Sequence, residues 1–409
     1  QAMRFGFNWE LGPFQLWDAV GVEPVLERWR KQDRPLPPLA EALHHSGQHS
    51  FYVRQDHQQF QFDWERGRHK FVPERPGVLL LSERKAAGAV VAENTGASLI
   101  DLGDGVACLE FHSKMNAIGT DILQMVQLAH QKVNEHFEGM VVGNQAPHFS
   151  VGANIMLLLM TIQEEEWDDI DLIIRAFQSA TMSLKYAAKP VVVAVHGMAL
   201  GGGCEFVLHG ARVQAAAESY IGLVETGAGL IPAGAGTKEM LVRALDASSN
   251  DLDRLNRVRH TFETLAMAKA STSADEARCL GFLRDGDQVS MNQDHLIADA
   301  KQAVLELARG GYRPGAPRTD IIPPGETLYA QLKLGIHLMH RAGYISDYDA
   351  HVAGKLAYVI SGGALNPPQP VSEQYLLDLE REAFLSLCGE PKTQERIQYL
   401  LKTGKPLRN

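Results

Sequence analysis

The most constraining feature of this chain is a run of glycines that directly follows a β-branched segment. Residues 191–195 are typical of a buried strand, residues 201–203 are all glycine, and a short helical pattern containing Glu205 comes next. A glycine turn at a helix N-terminus leaves backbone N–H groups uncovered, with the helix dipole behind them. We therefore expect a site for a developing negative charge, with a carboxylate beside it.

A second carboxylate lies further along the chain. Glu225 stands between a strand pattern and another glycine-rich turn at residues 227–229. A single glutamate near a helix N-terminus usually does no more than compensate the helix dipole. Two glutamates combined with two glycine turns instead favour acid–base chemistry next to a polarised carbonyl group.

A third segment completes a recognisable pattern. Residues 148–155 read His-Phe-Ser-Val-Gly-Ala-Asn-Ile and follow a short strand pattern at residues 141–144. In order and spacing, the three segments resemble the signature of the enoyl-CoA hydratase/isomerase (crotonase) superfamily. The resemblance covers about residues 97 to 300 and implies an α/β fold, a spiral of ββα units.

The resemblance implies a role for each element of the site. The backbone N–H groups of Ala153 and Gly202 would form the oxyanion hole that binds the thioester oxygen. Glu205 would orient and deprotonate water, and Glu225 would donate the proton to the α-carbon, with the roles reversed in dehydration. A neutral acid at pH 7 needs a raised pKa, which like-charge repulsion and an apolar pocket would supply.

Other residues near these segments are expected to bind the substrate. Lys114 precedes an Asn-Ala pair at a place where the family carries a basic residue, so it is the candidate for the coenzyme A phosphates. A solvated surface lysine is the alternative. The remaining candidates for substrate binding are Phe149, Gly152, Gly201, Phe206 and Leu230.

The type of reaction stays open between three alternatives. Hydration of a 2-enoyl-CoA is favoured because both glutamates are present. A Δ3,Δ2-enoyl-CoA isomerase would need the Glu225 base but not Glu205. A non-catalytic scaffold that binds acyl-CoA is the third alternative, and an inactive protein that still binds coenzyme A would support it.

The flanking segments predict the domain organisation. Residues 3–22 resemble the C-terminal helical domain of 3-hydroxyacyl-CoA dehydrogenases, which suggests the C-terminal part of a bifunctional fatty-acid oxidation protein. We expect a helical domain over 1–72, a linker over 73–96, the hydratase domain over 97–310 and a C-terminal helical region over 311–409. No cofactor is expected in this chain, since NAD would bind in a preceding part.

Strand and helix patterns alternate from residue 97, which favours parallel pairing with crossovers. A hairpin is predicted where residues 98–102 and 106–111 flank a Gly-Asp-Gly turn. Helices are expected at 121–136 and 170–188, with a strand at 139–143. Beyond residue 237, helical patterns cover 261–270, 273–280, 294–309, 328–341, 350–360, 372–389 and 393–402.

Composition excludes several functions. A net charge of −10 argues against nucleic acid as a partner. The sequence contains neither an apolar run of membrane-spanning length nor a signal pattern, so we expect a cytoplasmic location without membrane insertion. The four cysteines include no Cys-x-x-Cys pair, and no metal site is expected. The expected partners are an acyl-CoA substrate and either further copies of the chain or a thiolase.

Overall fold

The computed structural model describes residues 2–7, 9, 11–55, 58–73 and 75–409. The chain divides into two compact units, residues 1–76 and residues 77–409. In the first unit, Val22, Leu26, Leu43 and Phe62 contribute to a small hydrophobic core. The elements of this unit are α1 (Ala2–Phe7), α2 (Pro13–Val20), α3 (Val22–Lys31), α4 (Pro38–His45), β1 (Tyr52–Gln55), β2 (Gln58–Asp63) and β3 (Arg68–Phe71).

The prediction of a purely helical first domain was incomplete. Strands β1, β2 and β3 form an antiparallel sheet in that order. Most residues of β1 and β3 are exposed or half-buried, so they carry little of the apolar alternation from which a strand is predicted. Helix α4 lies within the polar residues 34–51.

The second unit is built on a seven-stranded sheet with the order β10-β9-β8-β7-β6-β5-β4. Its strands are β4 (Val90–Glu93), β5 (Ala97–Asp101), β6 (Val106–Phe111), β7 (Gly139–Gly143), β8 (Val191–Leu200), β9 (Arg212–Gly222) and β10 (Gln288–Ser290). Strands β4 to β6 pair antiparallel, and β6 to β10 pair parallel. The α/β class and the hairpin of β5 and β6 are confirmed.

The linker predicted over residues 73–96 was wrong for most of its length. It contains a helix, α5 (Leu81–Ala86), and the edge strand β4. Strand β4 pairs with β5, with Glu93 opposite Ser98, and the Leu81 side chain is buried. An edge strand needs only one neighbour, and β4 is too short and too exposed to produce a strong apolar pattern.

Helices cover both faces of this sheet. They are α6 (Thr120–His136), α7 (Ile155–Gln163), α8 (Trp167–Lys185), α9 (Gly202–Leu208), α10 (Gly236–Asp246), α11 (Asp251–Ala266), α12 (Ala274–Cys279), α13 (Leu296–Arg309), α14 (Glu326–Arg341), α15 (Asp347–Ile360), α16 (Glu373–Cys388) and α17 (Pro391–Thr403). Helix α13 packs against β7, β8 and β9, and α16 packs against α8, α10 and α15. Among the described residues, no helix combines the length and the apolarity that crossing a bilayer requires.

Candidate active site

The first glycine turn joins β8 to α9 and places Glu205 in the first turn of that helix. Gly201 has a φ of 53°, a conformation that favours glycine, and its N–H donates to the Gly222 carbonyl at 2.9 Å. A Cβ at this position would lie 3.3 Å from Oε1 of Glu225. The turn therefore brings the backbone close to both predicted glutamates.

A second glycine turn of the site, formed by residues 148–153 and distinct from the turn at residues 227–229, is hydrogen-bonded to the end of β8. The Leu200 N–H donates to the Ser150 carbonyl at 3.0 Å, and Ser150 pairs with Ala199 in an isolated parallel bridge. The Ser150 hydroxyl also donates to the Asn116 carbonyl at 2.7 Å. Gly152 has a φ of 102°, which turns the chain so that the next amide faces the first turn.

The two turns bring two amides side by side. A Cβ at Gly152 would lie 3.2 Å from the Gly202 nitrogen, and a Cβ at Gly202 would lie 3.2 Å from the Ala153 nitrogen. Within the described part of the chain, neither amide donates a hydrogen bond. Two free N–H donors at the N-terminus of α9 form the arrangement that an oxyanion requires.

Glu205 is held by the N-terminus of α10. Its Oε1 accepts hydrogen bonds from the N–H groups of Gly234 at 2.7 Å and Gly236 at 2.8 Å. A Cβ at Gly234 would lie only 2.3 Å from Oε2 of Glu205, so a larger residue there would displace the glutamate side chain. Burial raises the pKa of Glu205 to about 7, against the opposing effect of the two N–H donors and of Lys238.

Glu225 begins a 3₁₀ turn directly after β9. Its Oε2 is buried and has no hydrogen-bond partner among the described residues. Burial, and next the charge of Glu205, raise the pKa of Glu225 well above its ordinary value. A carboxyl group in this environment is neutral at pH 7 and holds a proton that it can give to a substrate.

Lys114 lies beside the second glycine turn. It opens a short 3₁₀ turn, and the carbonyl of the next residue, Met115, accepts a hydrogen bond from the Val151 N–H at 3.3 Å. The lysine side chain is exposed. The structure therefore brings this predicted cation to the rim of the site.

Three of the predicted pocket residues lie in the core instead of lining the site. Phe149 and Phe206 are completely buried, and Leu230 is only 2% exposed. The Phe206 ring packs edge-on against Phe111 and Phe177, with centroids 5.6 Å apart in both pairs. These residues support the glycine turns from behind, because the helix that presents Glu205 also buries the apolar side chains next to it.

Sequence reasoning missed a third buried carboxylate. Glu380, on α16, accepts hydrogen bonds from the Ala235 N–H at 2.6 Å, the Lys238 N–H at 3.0 Å and the Gln178 side chain at 3.2 Å. It is completely buried, and burial together with the charge of Glu205 raises its pKa to about 8. No local motif marks Glu380 in the sequence.

Two glutamates with raised pKa values thus lie beside two free amides in an α/β fold, an arrangement suited to acid–base chemistry. Residues 101–251 match the family model described as enoyl-CoA hydratase/isomerase.

Comparisons with individual proteins agree with this match. The whole chain is 48% identical to a Bacillus subtilis protein named a probable 3-hydroxyacyl-CoA dehydrogenase, of which it covers 51%. The fold is similar to that of an enoyl-CoA hydratase from Bacillus halodurans, with 16% identity, a TM-score of 0.51 and coverage of 75% of this chain and 100% of that one. An enoyl-CoA hydratase/isomerase from Xanthobacter autotrophicus gives 15% identity, a TM-score of 0.50 and coverage of 76% and 95%.

The chain spans about half the length of the curated relatives that it matches. The family match confirms the resemblance to the crotonase superfamily for residues 101–251, and the structural similarity shows the fold.

Proposed function

We propose that this chain hydrates trans-2-enoyl-CoA to 3-hydroxyacyl-CoA. The observation that carries the proposal is the pairing of two different carboxyl groups beside two free amides. Glu225 has an unpartnered buried oxygen and a strongly raised pKa, whereas Glu205 is fixed by two N–H donors and has a pKa of about 7. An acid and a base of matched strength are what addition of water requires.

The proposed reaction uses each group once. The N–H groups of Ala153 and Gly202 donate to the thioester oxygen, which gains negative charge as water attacks, and each is worth about 3 kcal/mol. Glu205 accepts a proton from water while the hydroxyl group bonds to the β-carbon. Glu225 gives its proton to the α-carbon, and the proton on Glu205 then returns to Glu225 through solvent.

The surroundings of the site suit an acyl-CoA. Lys114 offers a cation to the phosphates of coenzyme A at the rim. Met115, Met156 and Met160, near the two free amides, are each 51% exposed. Unbranched methionine side chains adapt to apolar ligands of different shape, so this surface would suit a flexible acyl chain.

Isomerisation of a 3-enoyl-CoA is the second candidate. It would need an ionised Glu225 as base and would leave Glu205 without a task. The raised pKa of Glu225 and the defined hydrogen bonds of Glu205 favour hydration.

We further propose that hydration here is a step of fatty-acid β-oxidation. A Bacillus subtilis relative is named for the oxidation of 3-hydroxyacyl-CoA, the product of the proposed hydration. NAD would bind outside residues 1–409, so we expect no NADH formation by this chain alone. Association with a thiolase or with further copies of the chain remains a prediction.

The direct test follows the absorbance of the conjugated enoyl thioester when purified protein meets crotonyl-CoA and a longer 2-enoyl-CoA. We expect turnover by the wild type and a loss of about a hundredfold or more in Glu205→Gln and in Glu225→Gln, because each removes a group that transfers a proton.

Two other outcomes would change the proposal. Turnover of a 3-enoyl-CoA but not of a 2-enoyl-CoA, retained in Glu205→Gln, would show an isomerase. Binding of coenzyme A thioesters without either turnover would show a scaffold.

A further inference from the structure

Two buried glutamates share one helix N-terminus in this structure. Glu205 accepts from the N–H groups of Gly234 and Gly236, whereas Glu380 accepts from those of Ala235 and Lys238. The two carboxyl groups thus accept hydrogen bonds from interleaved amides of the same short segment, residues 234–238. All four distances lie between 2.6 and 3.0 Å.

The segment has an unusual backbone that depends on these bonds. Ala235 has a φ of 84°, a left-handed conformation that is costly for a residue with a Cβ. That conformation turns the Ala235 N–H toward Glu380, while the flanking amides point to Glu205. Removing the acceptor for Ala235 would remove the compensation for this strain and release the segment that orients Glu205.

Glu380 is itself fixed by a second element. The side-chain amide of Gln178, on α8, donates to Glu380 and also to the carbonyl groups of Ala233 and Leu377 at 2.9 Å each. Helix α16 is thereby tied to α8 and to the segment before α10. The position of Glu380 is set by hydrogen bonds on both sides and by complete burial.

We propose that Glu380 is a positioning residue for Glu205, holding the segment 234–238 so that its amides fix the Glu205 carboxyl group for reaction. This inference rests on the proposed hydration and adds a residue that acts through Glu205 without contacting the substrate. Glu380 also acts electrostatically on Glu225, because a negative charge on Glu380 opposes ionisation of Glu225.

The direction of that electrostatic effect follows from the groups around the pair. The charge of Glu380 contributes to the raised pKa of Glu225, and the charge of Glu205 contributes to the raised pKa of Glu380. Lys238, from α10, opposes the rise at both Glu205 and Glu380, and α8 contributes only the neutral amide of Gln178. Removing the Glu380 charge should therefore lower the pKa of Glu225.

The test is the pH dependence of 2-enoyl-CoA hydration in Glu380→Gln. We expect kcat to fall about tenfold, the cost of losing one orienting hydrogen bond, with KM changed less than about threefold. The basic limb of the pH profile should move to lower pH, since it reports ionisation of Glu225. The acidic limb, which reports ionisation of Glu205, should stay in place, because Glu380 is still neutral in that pH range. A residue with only a structural role would lower activity without moving the basic limb.

Two variants accompany this measurement. Glu382→Gln, on the exposed side of the same helix, removes an equal charge without touching the site and should behave as the wild type. Glu380→Asp keeps the charge but shortens the side chain, so kcat should fall while the limbs stay near their wild-type positions. An unmoved basic limb in Glu380→Gln, or an unchanged kcat in both Glu380 variants, would overturn the proposal.

A readout without turnover separates this inference from the proposed function. Infrared titration of the protonated carboxyl C=O stretch follows the buried glutamates directly. In Glu380→Gln, the titration of Glu225 should move to lower pH, even if no enoyl-CoA is hydrated. A wild type without hydratase activity would refute the proposed function, whereas an unmoved titration would refute the coupling to Glu380.

Discussion

Two sets of glutamates with buried carboxyl oxygens differ in the charged groups that neutralise them. Glu205, Glu225 and Glu380 have raised pKa values, because burial is not offset by a cation that contacts them. Glu239 and Glu373 are just as buried, but Lys238 contacts both, at 2.9 and 3.1 Å.

The lysines reverse the effect of burial in the second set. Burial would raise the pKa of Glu373, yet Lys238 and Lys185 lower it to about 2. The same two lysines hold the pKa of Glu239 well below its ordinary value, again against burial. The comparison separates carboxylates that stabilise the fold through ion pairs from carboxyl groups that are left able to exchange protons near pH 7.

The largest expected effect on stability comes from breaking the ion pairs of Glu239 and Glu373, here called the paired set. Lys238→Met leaves Glu239 and Glu373 buried with one fewer cation, so we expect the free energy of unfolding to fall by about 3–5 kcal/mol. Urea unfolding measures this loss. Lys402→Met, at an exposed lysine, is the control and should change stability by less than about 0.5 kcal/mol. If Lys238→Met lost as little stability as the Lys402→Met control, the ion pairs of Lys238 would not stabilise the fold.

A smaller effect on stability is expected at the glycines that contact Glu205, which belongs with Glu225 and Glu380 to the unpaired set of carboxyl groups. In Gly234→Ala the new Cβ would meet Oε2 of Glu205 at 2.3 Å and the Phe177 ring at 2.4 Å. We expect a loss of about 1–3 kcal/mol in unfolding free energy, with a fall in hydration rate because Glu205 is displaced. Gly335→Ala, inside α14 with no atom within 4 Å of the new Cβ, should instead stabilise the protein by about 0.5–1 kcal/mol. Normal turnover in Gly234→Ala would contradict the role of this contact.

The pH dependence of stability should show the two sets with opposite signs. The unpaired carboxyl groups keep their protons in the folded state above pH 4.5, the ordinary glutamate value, while the unfolded chain has released them. Stability should therefore fall as pH rises from about 5 to 8, by up to about 1.4 kcal/mol per pH unit for each group. The paired set contributes stability above pH 4.5 that is lost as pH falls toward 2.

Urea unfolding at several pH values measures these slopes. Glu205→Gln should flatten the decline between about pH 5 and 8, because it removes one of the groups that hold a proton there. An unchanged slope in this variant would mean that Glu205 is ionised throughout the range.

The parts of the site that were predictable from sequence are local in the chain. The glycines at 201–203 follow their strand directly, and Glu205 comes within the first turn of the helix that they begin. Gly152, in the third segment of the pattern, has a φ of 102°. Backbone conformation of this kind is set by neighbouring residues, so the sequence pattern carries the information.

The parts that could not be predicted depend on tertiary packing. Glu380 lies 145 residues from Ala235 and accepts a hydrogen bond from the Ala235 N–H. Only the packing of α16 on α10 brings the two residues together. Phe149 and Phe206 were predicted to line the site because they adjoin its motifs, yet the direction of each side chain depends on the core beneath. Strand β4 was hidden for a related reason, since a half-exposed edge strand leaves a weak pattern.

The most direct test of this account measures hydration rate and unfolding free energy side by side in Glu225→Gln and Lys238→Met. We expect Glu225→Gln to lose hydration by about a hundredfold or more and to keep nearly wild-type stability, because its carboxyl group is already neutral in the fold. Lys238→Met should lose several kcal/mol of stability, while the folded fraction still turns over substrate. Near-normal hydration by Glu225→Gln together with a large loss of stability would contradict the division between reactive and structural carboxyl groups.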